Sequence, residues 1–474
     1  MPEGTIFQQN PTPQVNSVSA DPPANLPGNP IASKFSPRRL IKIAGVLFLI
    51  LTILFVVLAV ISPQFGKSKN KNVELSYWGL QENNDVMQVV ISDFENENPT
   101  IKVSYAKQDP KDYREKLTTR IENGNGPDVF QFHNTWYPML SGVLLPMPSE
   151  TIGRKEFADN FYNVAQEDLI KNGAIYGIPL EVDTLAMYVN TNLFDEASKE
   201  LSETITVPTT WQEFIDASAK LTKRDESGKI IIAGAGIGAF ENVTHAPDII
   251  SLLFAQNGVN LNNIDEPDTK VSDALRFYTN FSLVENNVWD QTLDPSLIAF
   301  SQGKLAIFFG YYWDYFTIKT SNPNLSFKIA PVPQLLNDNK VNIASYFAEG
   351  ASLKSKNQKE VLLFMKFLAK KETQEKLYAA QLKARSLGKP YGNKNLAEKL
   401  RDTDSFVFVD QAKTAVSSPF VDNTHDNGLN DKLNLVLKET ITDILGSGGL
   451  ESATRTLLEG YSQVIGEYAP KPTK

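Results

Sequence analysis

Gly310-Tyr-Tyr-Trp-Asp314 sets three aromatic side chains next to one another, directly after an apolar run that reads as a β-strand. A strand packed on a core needs apolar side chains only at alternate positions, so at least one of Tyr311, Tyr312 and Trp313 is available to present a ring face to a ligand. A flat apolar face beside fixed polar groups suits a sugar ring. The polar groups supply most of the selectivity, because a buried donor or acceptor left unpaired costs about 1–3 kcal/mol. Candidate partners are spread along the chain. Trp78 ends the first apolar run and is followed by Gln81, Glu82 and Asn83. Glu181 and Asp183 come just after Pro179, where a carboxylate suits bidentate acceptance from vicinal hydroxyls. Phe240-Glu241 and Glu349-Gly350 are rim candidates. The plainer readings are core packing for the aromatics and solvated loop for 81–83. Several carboxylates around one site would equally suit a cationic ligand such as a polyamine. Two of them roughly 5–9.5 Å apart across a glycosidic bond would suit hydrolysis.

Other chemistries are disfavoured. The chain has no cysteine, which excludes disulfides, thiol catalysis, cysteine zinc sites and attachment through a lipidated cysteine. His133, His245 and His425 lack metal-ligand spacing, so neither a metal nor a cofactor is expected. Gly234-Ala-Gly-Ile-Gly-Ala239 fits a dinucleotide fingerprint in form, but Pro247 interrupts the helix that should follow. A net charge of -9 with no basic aromatic stripe argues against nucleic acid.

The elements that position these residues begin well inside the chain. With 474 residues, about three domains are expected, and 42% hydrophobic residues are enough for real cores. Residues 1–37 are rich in Pro, Asn, Ser and Gln and read as a disordered tail. Ile43 to Ile61 is an uncharged apolar run, so 38–62 reads as a transmembrane anchor. A cleaved signal peptide would place a shorter apolar region near the chain start. Residues 63–72 read as a polar linker, short enough to keep the globular part of the chain close to the bilayer.

From Val73 strands and helices alternate. Val73–Trp78, Ile101–Ala106 and Asp128–Phe132 read as strands, and Asp85–Glu97 as an amphipathic helix. A second helix is expected to open with Asp109 as N-cap and Pro110 at its first position, with Tyr113, Leu117 and Ile121 on one face. This βαβαβ run implies a parallel sheet, whose ligands collect at the carboxyl ends of its strands. Thr210 and Glu213 form a capping box for a helix through Leu221. Lys229–Ala233 reads as a strand, and Asn357 with Glu360 as the cap of another helix. Leu429–Leu445 and Leu450–Ile465 read as two final helices.

The order of these features resembles the family-1 extracellular solute-binding proteins, to which the maltose-binding protein also belongs. It rests on Tyr77-Trp-Gly79, Phe94-Glu-Asn-Glu-Asn-Pro99, Gly126-Pro-Asp-Val129, Tyr176-Gly-Ile-Pro179 and Tyr188-Val-Asn190. Pro208-Thr-Thr-Trp211, Phe300-Ser-Gln-Gly-Lys304, Gly310-Tyr-Tyr-Trp313 and Phe347-Ala-Glu-Gly350 continue it. The resemblance covers about 73–380. It implies an α/β, two-lobed, periplasmic-binding-protein-like (type 2) fold, with lobe 1 at 73–181 and 331–384 and lobe 2 at 182–330 and 385–468. It further implies that Phe132, His133 and Trp136 line the cleft with neighbouring Asn134, and that Tyr312 and Trp313 are the stacking platforms. The expected function is capture of a sugar or other small polar solute by hinge closure, for the permease subunits of an ABC importer. The expected form is a monomer on the extracytoplasmic side of the membrane. A tethered glycosidase using Glu181, Asp183 or Glu349, or a ligand sensor, are the alternatives.

Overall fold

The computed structural model describes residues 37–61 and 72–469, apart from 265–268, 284–286, 337–338, 422–423 and 447. The tail expected at 1–37 therefore lies outside the described residues except for Pro37, and so does the linker except for Asn72. The chain separates into a unit up to Asn70 and a compact unit from Lys71 to Lys474. In the first unit, α1 (Pro37–Ile61) carries the apolar run. Its described side chains from Val46 to Val57 are exposed. Among the described residues, no helix is long and apolar enough to cross a membrane.

The second unit holds two five-stranded sheets. The first contains β1 (Val73–Gly79), β2 (Ile101–Lys107), β3 (Val129–His133), β4 (Gly177–Pro179) and a late strand, β10 (Phe347–Ala351). Their order is β2-β1-β3-β10-β4. The β1–β2 and β1–β3 pairs are parallel, while β10 runs antiparallel to both its neighbours. α2 (Asn84–Glu97) buries Val86, Val90 and Phe94, and α3 (Tyr113–Glu122) buries Tyr113, Leu117 and Ile121. The expected cap of α3 differs from the observed one. Asp109 accepts the Lys111 amide at 2.9 Å in a local turn, which uses its carboxylate before the helix begins. The helix then starts after Asp112, a left-handed residue at φ 55°.

The second sheet contains β5 (Ala186–Asn190), β6 (Lys223–Arg224), β7 (Ile230–Ala235), β8 (Leu305–Gly310) and β9 (Phe327–Ala330). Their order is β9-β5-β8-β7-β6. α4 (Trp211–Leu221) opens with the capping box anticipated from Thr210 and Glu213. Pro247 falls in the first turn of α5 (Ala246–Gln256), where a missing N–H costs nothing. α6 (Gln358–Leu368) starts after Asn357, which makes no side-chain cap. α7 (Lys371–Ala384), α8 (Leu429–Leu445) and α9 (Leu450–Tyr468) complete the frame.

Each sheet has its own hydrophobic core. One gathers residues from Leu75 to Val182 and from Ala344 to Ala380. The other gathers Leu185 to Ile343 and Phe420 to Val464. Around 384/385, where the third passage between lobes was expected, the chain serves both. Leu387 and Phe408 enter the second core, whereas Tyr391, Leu396, Leu400 and Val409 pack in the first. A small third sheet, Ala415–Val416, Asn342–Ser345 and Asp183–Thr184, pairs the three segments that pass between the cores. This is the only hydrogen-bonded sheet among the described residues to which all three passages contribute.

Candidate functional site

The carboxyl ends of the first sheet carry most of the anticipated polar residues, and half-buried counter-charges meet them there. Glu82, in the turn after β1, accepts from Arg385 Nη2 at 2.8 Å and Nη1 at 3.1 Å. The Gln381 amide donates to it at 3.0 Å, and Lys389 Nζ lies 3.4 Å away. Lys389 also pairs with Glu181 at 2.8 Å and contacts Gln81. Burial alone would raise the Glu82 pKa, but Lys389 and Arg385 outweigh it and hold the carboxylate below its ordinary range. Glu82 and Glu181 are thus engaged by protein cations at the junction of the lobes.

Tyr312 sits on this junction. Its amide donates to Asp183 Oδ2 at 3.0 Å, and its hydroxyl donates to the Leu387 carbonyl at 3.0 Å. The Arg385 guanidinium lies 5.8 Å from its ring centroid. Asp183 also accepts the Thr184 amide at 2.8 Å. Burial, reinforced by nearby Glu181, raises its pKa well above the usual range. The ring of Tyr312 is therefore buried structure at the hinge rather than an open platform.

Deeper in the first lobe, Glu349 on β10 stands opposite Gln131 on β3. The Gln131 amide donates to Glu349 Oε1 at 2.8 Å, while its own oxygen accepts the Leu80 amide at 2.6 Å. Glu349 Oε2 is fully enclosed without a hydrogen-bond partner. Tyr77 faces it with a hydroxyl outside hydrogen-bond geometry, yet close enough for burial and this carboxyl to raise the phenol pKa. Burial pushes Glu349 up to about 7, against the opposing pull of the nearby Tyr77 hydroxyl, the Gln131 hydrogen bond and Lys389. Beside it, Gly350 admits no side chain, since a Cβ would come within 2.8 Å of Leu144.

The second lobe answers with an aromatic–ionic cluster after β8. Tyr311 is fully buried and stacks on half-buried Trp313, with ring centroids 4.5 Å apart at 15°. The Tyr311 hydroxyl donates to Asp248 Oδ1 at 2.6 Å, and its amide donates to Asp314 Oδ2 at 2.8 Å. His245 lies 2.8 Å from Asp314 and 3.8 Å from Asp248. Burial would lower the imidazole pKa, but Asp314 and Asp248 overcome that and raise it to about 10. His245 is consequently a cation. In the first lobe His133 behaves oppositely. Its nitrogens meet Thr135 Oγ1 at 2.8 Å and Ser345 Oγ at 3.0 Å. Burial drives its pKa down to about 3, with Asp248 pulling the other way. Asp248 thus acts electrostatically on histidines from both lobes.

The remaining anticipated residues fall into three groups. Phe132 and Trp136 are fully buried in the first core, with Trp136 edge-on to Phe347. Trp78 is half-buried with the Lys116 ammonium 5.7 Å from its ring, and exposed Asn83 accepts from Lys107 at 3.1 Å. Half-buried Phe240 and exposed Glu241 lie on the second lobe, where Glu241 pairs with Lys438. Sequence reasoning missed Arg385, Lys389, Gln131, Asp248 and His245 as site partners. The spacing of His245 and Asp248, three apart at a helix start, was an available signal. The two cations sit in a Gly-Pro segment without periodicity and gave none.

Two lobes, each with a sheet and a core, joined by paired passages beneath a shared polar junction, define a two-lobed α/β binding protein. The profile of the bacterial extracellular solute-binding protein family matches residues 78–375, and the chain belongs to that family. A multiple sugar-binding protein of Streptococcus mutans is 24% identical over 331 residues, covering 66% of this chain and 75% of the relative. Among solved structures, a cyclo/maltodextrin-binding protein complexed with maltotetraose superposes with a TM-score of 0.66 at 18% identity, over 84% of this chain and 99% of that one. An ABC-transporter solute-binding protein from Thermotoga lettingae bound with α-D-tagatose gives 0.64 at 20% identity, over 83% and 99%.

Proposed function

We propose that this protein is the extracytoplasmic solute-binding component of an ABC importer, that it captures a sugar or oligosaccharide by closing its two lobes, and that the apolar run Ile43–Ile61, only part of whose side chains are among the described residues, anchors it in the membrane. The observation that carries the ligand class is the Tyr311–Trp313 stack. A buried ring backs a half-buried one, which fixes an aromatic side chain at little entropic cost beside the polar groups of Asp248, Asp314 and His245. The relative named for sugar binding and the sugar-bound structural neighbours support the same reading. A cationic ligand is less well served than the carboxylate count suggests, because Glu82 and Glu181 already pair with Arg385 and Lys389. The same pairing, with Asp183 accepting two backbone amides, leaves the hydrolase alternative without an evident acid–nucleophile pair. The apolar run Ile43–Ile61, about the length a span requires, motivates the anchor and with it the extracytoplasmic placement. Washing membranes at alkaline pH should leave the full chain bound, and its release there would refute the anchor.

The test is thermal melting of the full chain in detergent against monosaccharides, maltodextrins, polyamines and phosphodiesters. A ligand at 100 times its Kd stabilises the native state by about 2.7 kcal/mol. A shift with one sugar class and no turnover is expected, and Trp313→Ala should abolish it without lowering the unliganded melting temperature comparably. A shift with polyamines alone would overturn the sugar assignment.

A further inference from the structure

Beside the three passages the lobes also touch through α3 and the turn after β3, which meet the segment leading into α8. α3 connects the edge strand β2 to the central strand β3 of the first sheet. Arg114 on α3 donates from Nη2 to the Asp426 carbonyl at 2.9 Å and from Nε to the same oxygen at 3.3 Å, and its Nε lies 3.4 Å from the Asp426 carboxylate. The Asn427 side-chain amide donates to Asp112 Oδ1 at 3.0 Å. Asn430 Nδ2 donates to Thr135 Oγ1 at 2.9 Å. Asp112, Arg114 and Thr135 belong to the first lobe. The segment 426–430 belongs to the second, since Val421 before it and Leu429 and Leu433 within and after it enter the second core. Asp426 is buried and Arg114 nearly so, so this is a charge-assisted contact out of bulk water.

The backbone on both sides is held in a costly conformation. Five non-glycine residues have positive φ among the described residues, and three of them meet here: Asp112 at 55°, His425 at 50° and Asn427 at 54°. Left-handed conformations of such residues persist where surrounding contacts over-determine them, and they cluster at clamps and switches.

We propose that Arg114 and Asp426, flanked by Asp112 and Asn427, form a latch that biases the two lobes toward closure independently of ligand. A binding protein whose competent closed form is populated beforehand loses less affinity to the cost of closing. The latch thereby sets how much of the closing free energy the ligand must supply. It rests on interlobe contacts and on backbone geometry, not on the nature of the ligand.

Because the chain has no cysteine, introduced pairs can be labelled specifically. Glu122→Cys and Glu439→Cys place one exposed label on each lobe. Spin-label distances in the full chain in detergent, without any sugar, are expected to show a dominant short-distance population. Arg114→Ala should move the closed-to-open ratio about tenfold toward the long distance, as loss of a charge-assisted hydrogen bond implies, and Arg114→Lys should retain part of the short-distance population. Should Arg114→Ala not fold, Asp112→Gly removes the Asn427 acceptor while keeping the left-handed backbone accessible, and should shift the ratio in the same direction. Identical distributions for the parent and these variants would overturn the latch, as would a parent distribution already confined to the long distance. Since no ligand is present, neither result depends on the sugar assignment.

Discussion

Arg385→Ala is expected to destabilise the full chain by about 3 kcal/mol in chemical denaturation at neutral pH, well beyond the loss of an ordinary surface ion pair. Glu82 keeps only a few per cent of its side chain exposed, and Arg385 grips both of its oxygens. Removing the guanidinium leaves a buried carboxylate with Lys389 at 3.4 Å and the Gln381 amide, and Lys389 is already committed to Glu181. The penalty therefore comes from the stranded charge rather than from the lost pair itself. Combining Arg385→Ala with Glu82→Gln should recover most of it, giving a coupling energy of about 1–3 kcal/mol in the double-mutant cycle of these two substitutions. Additive effects of the two substitutions would mean that Glu82 is solvated in the native state. The acid limb follows from the same geometry. The folded pKa of Glu82 is depressed, so its contribution is present above the unfolded value near 4.5 and is lost as pH falls through the lower folded value. Arg385→Ala should accordingly flatten the acid side of the stability profile.

How much of this was legible beforehand depended on how local each cause was. The capping box at Thr210, the buried face of α3 and the bounds of Leu429–Leu445 follow from side chains within four positions of one another, and the sequence displays those directly. Asp109 misled because an Asp-Pro pair serves a turn as readily as a helix start, and only the chain's exit from β2 decides between them. The site is non-local. Glu82 meets Arg385 some 300 positions later, and Gln131 meets Glu349 across two antiparallel strands that helices and a whole lobe separate in sequence. Composition drew attention to the carboxylates near Pro179 and after Trp78. It could not tell that cations from a Gly-Pro segment would neutralise them, nor that Tyr312 would be spent on the hinge while Trp313 stays half-buried.

Glu349→Gln should make the protein more stable above neutral pH and leave it nearly unchanged near pH 4.5. In the native state this carboxyl has no solvent contact, and one oxygen lacks any hydrogen-bond partner, so burial raises its pKa from 4.5 to about 7. A folded value above the unfolded one means that the native state favours the protonated form. The associated stability is complete below about pH 4.5, declines as pH rises and is gone once pH passes about 7. At one pKa unit per 1.36 kcal/mol, the span amounts to about 3 kcal/mol as an upper bound. Asp168, raised to about 6, and His245, raised to about 10, also make wild-type stability fall as pH rises, so the wild-type curve alone does not isolate Glu349. The difference between variant and wild type does. Glutamine keeps the acceptor for the Gln131 amide and presents a neutral donor toward Tyr77, so the packing stays isosteric while the titration disappears. Denaturation midpoints at pH 5, 6, 7 and 8 should therefore diverge progressively, with the variant ahead at pH 8. A constant offset across that range would show that Glu349 does not titrate there, and that its unpartnered oxygen is satisfied in the native protein.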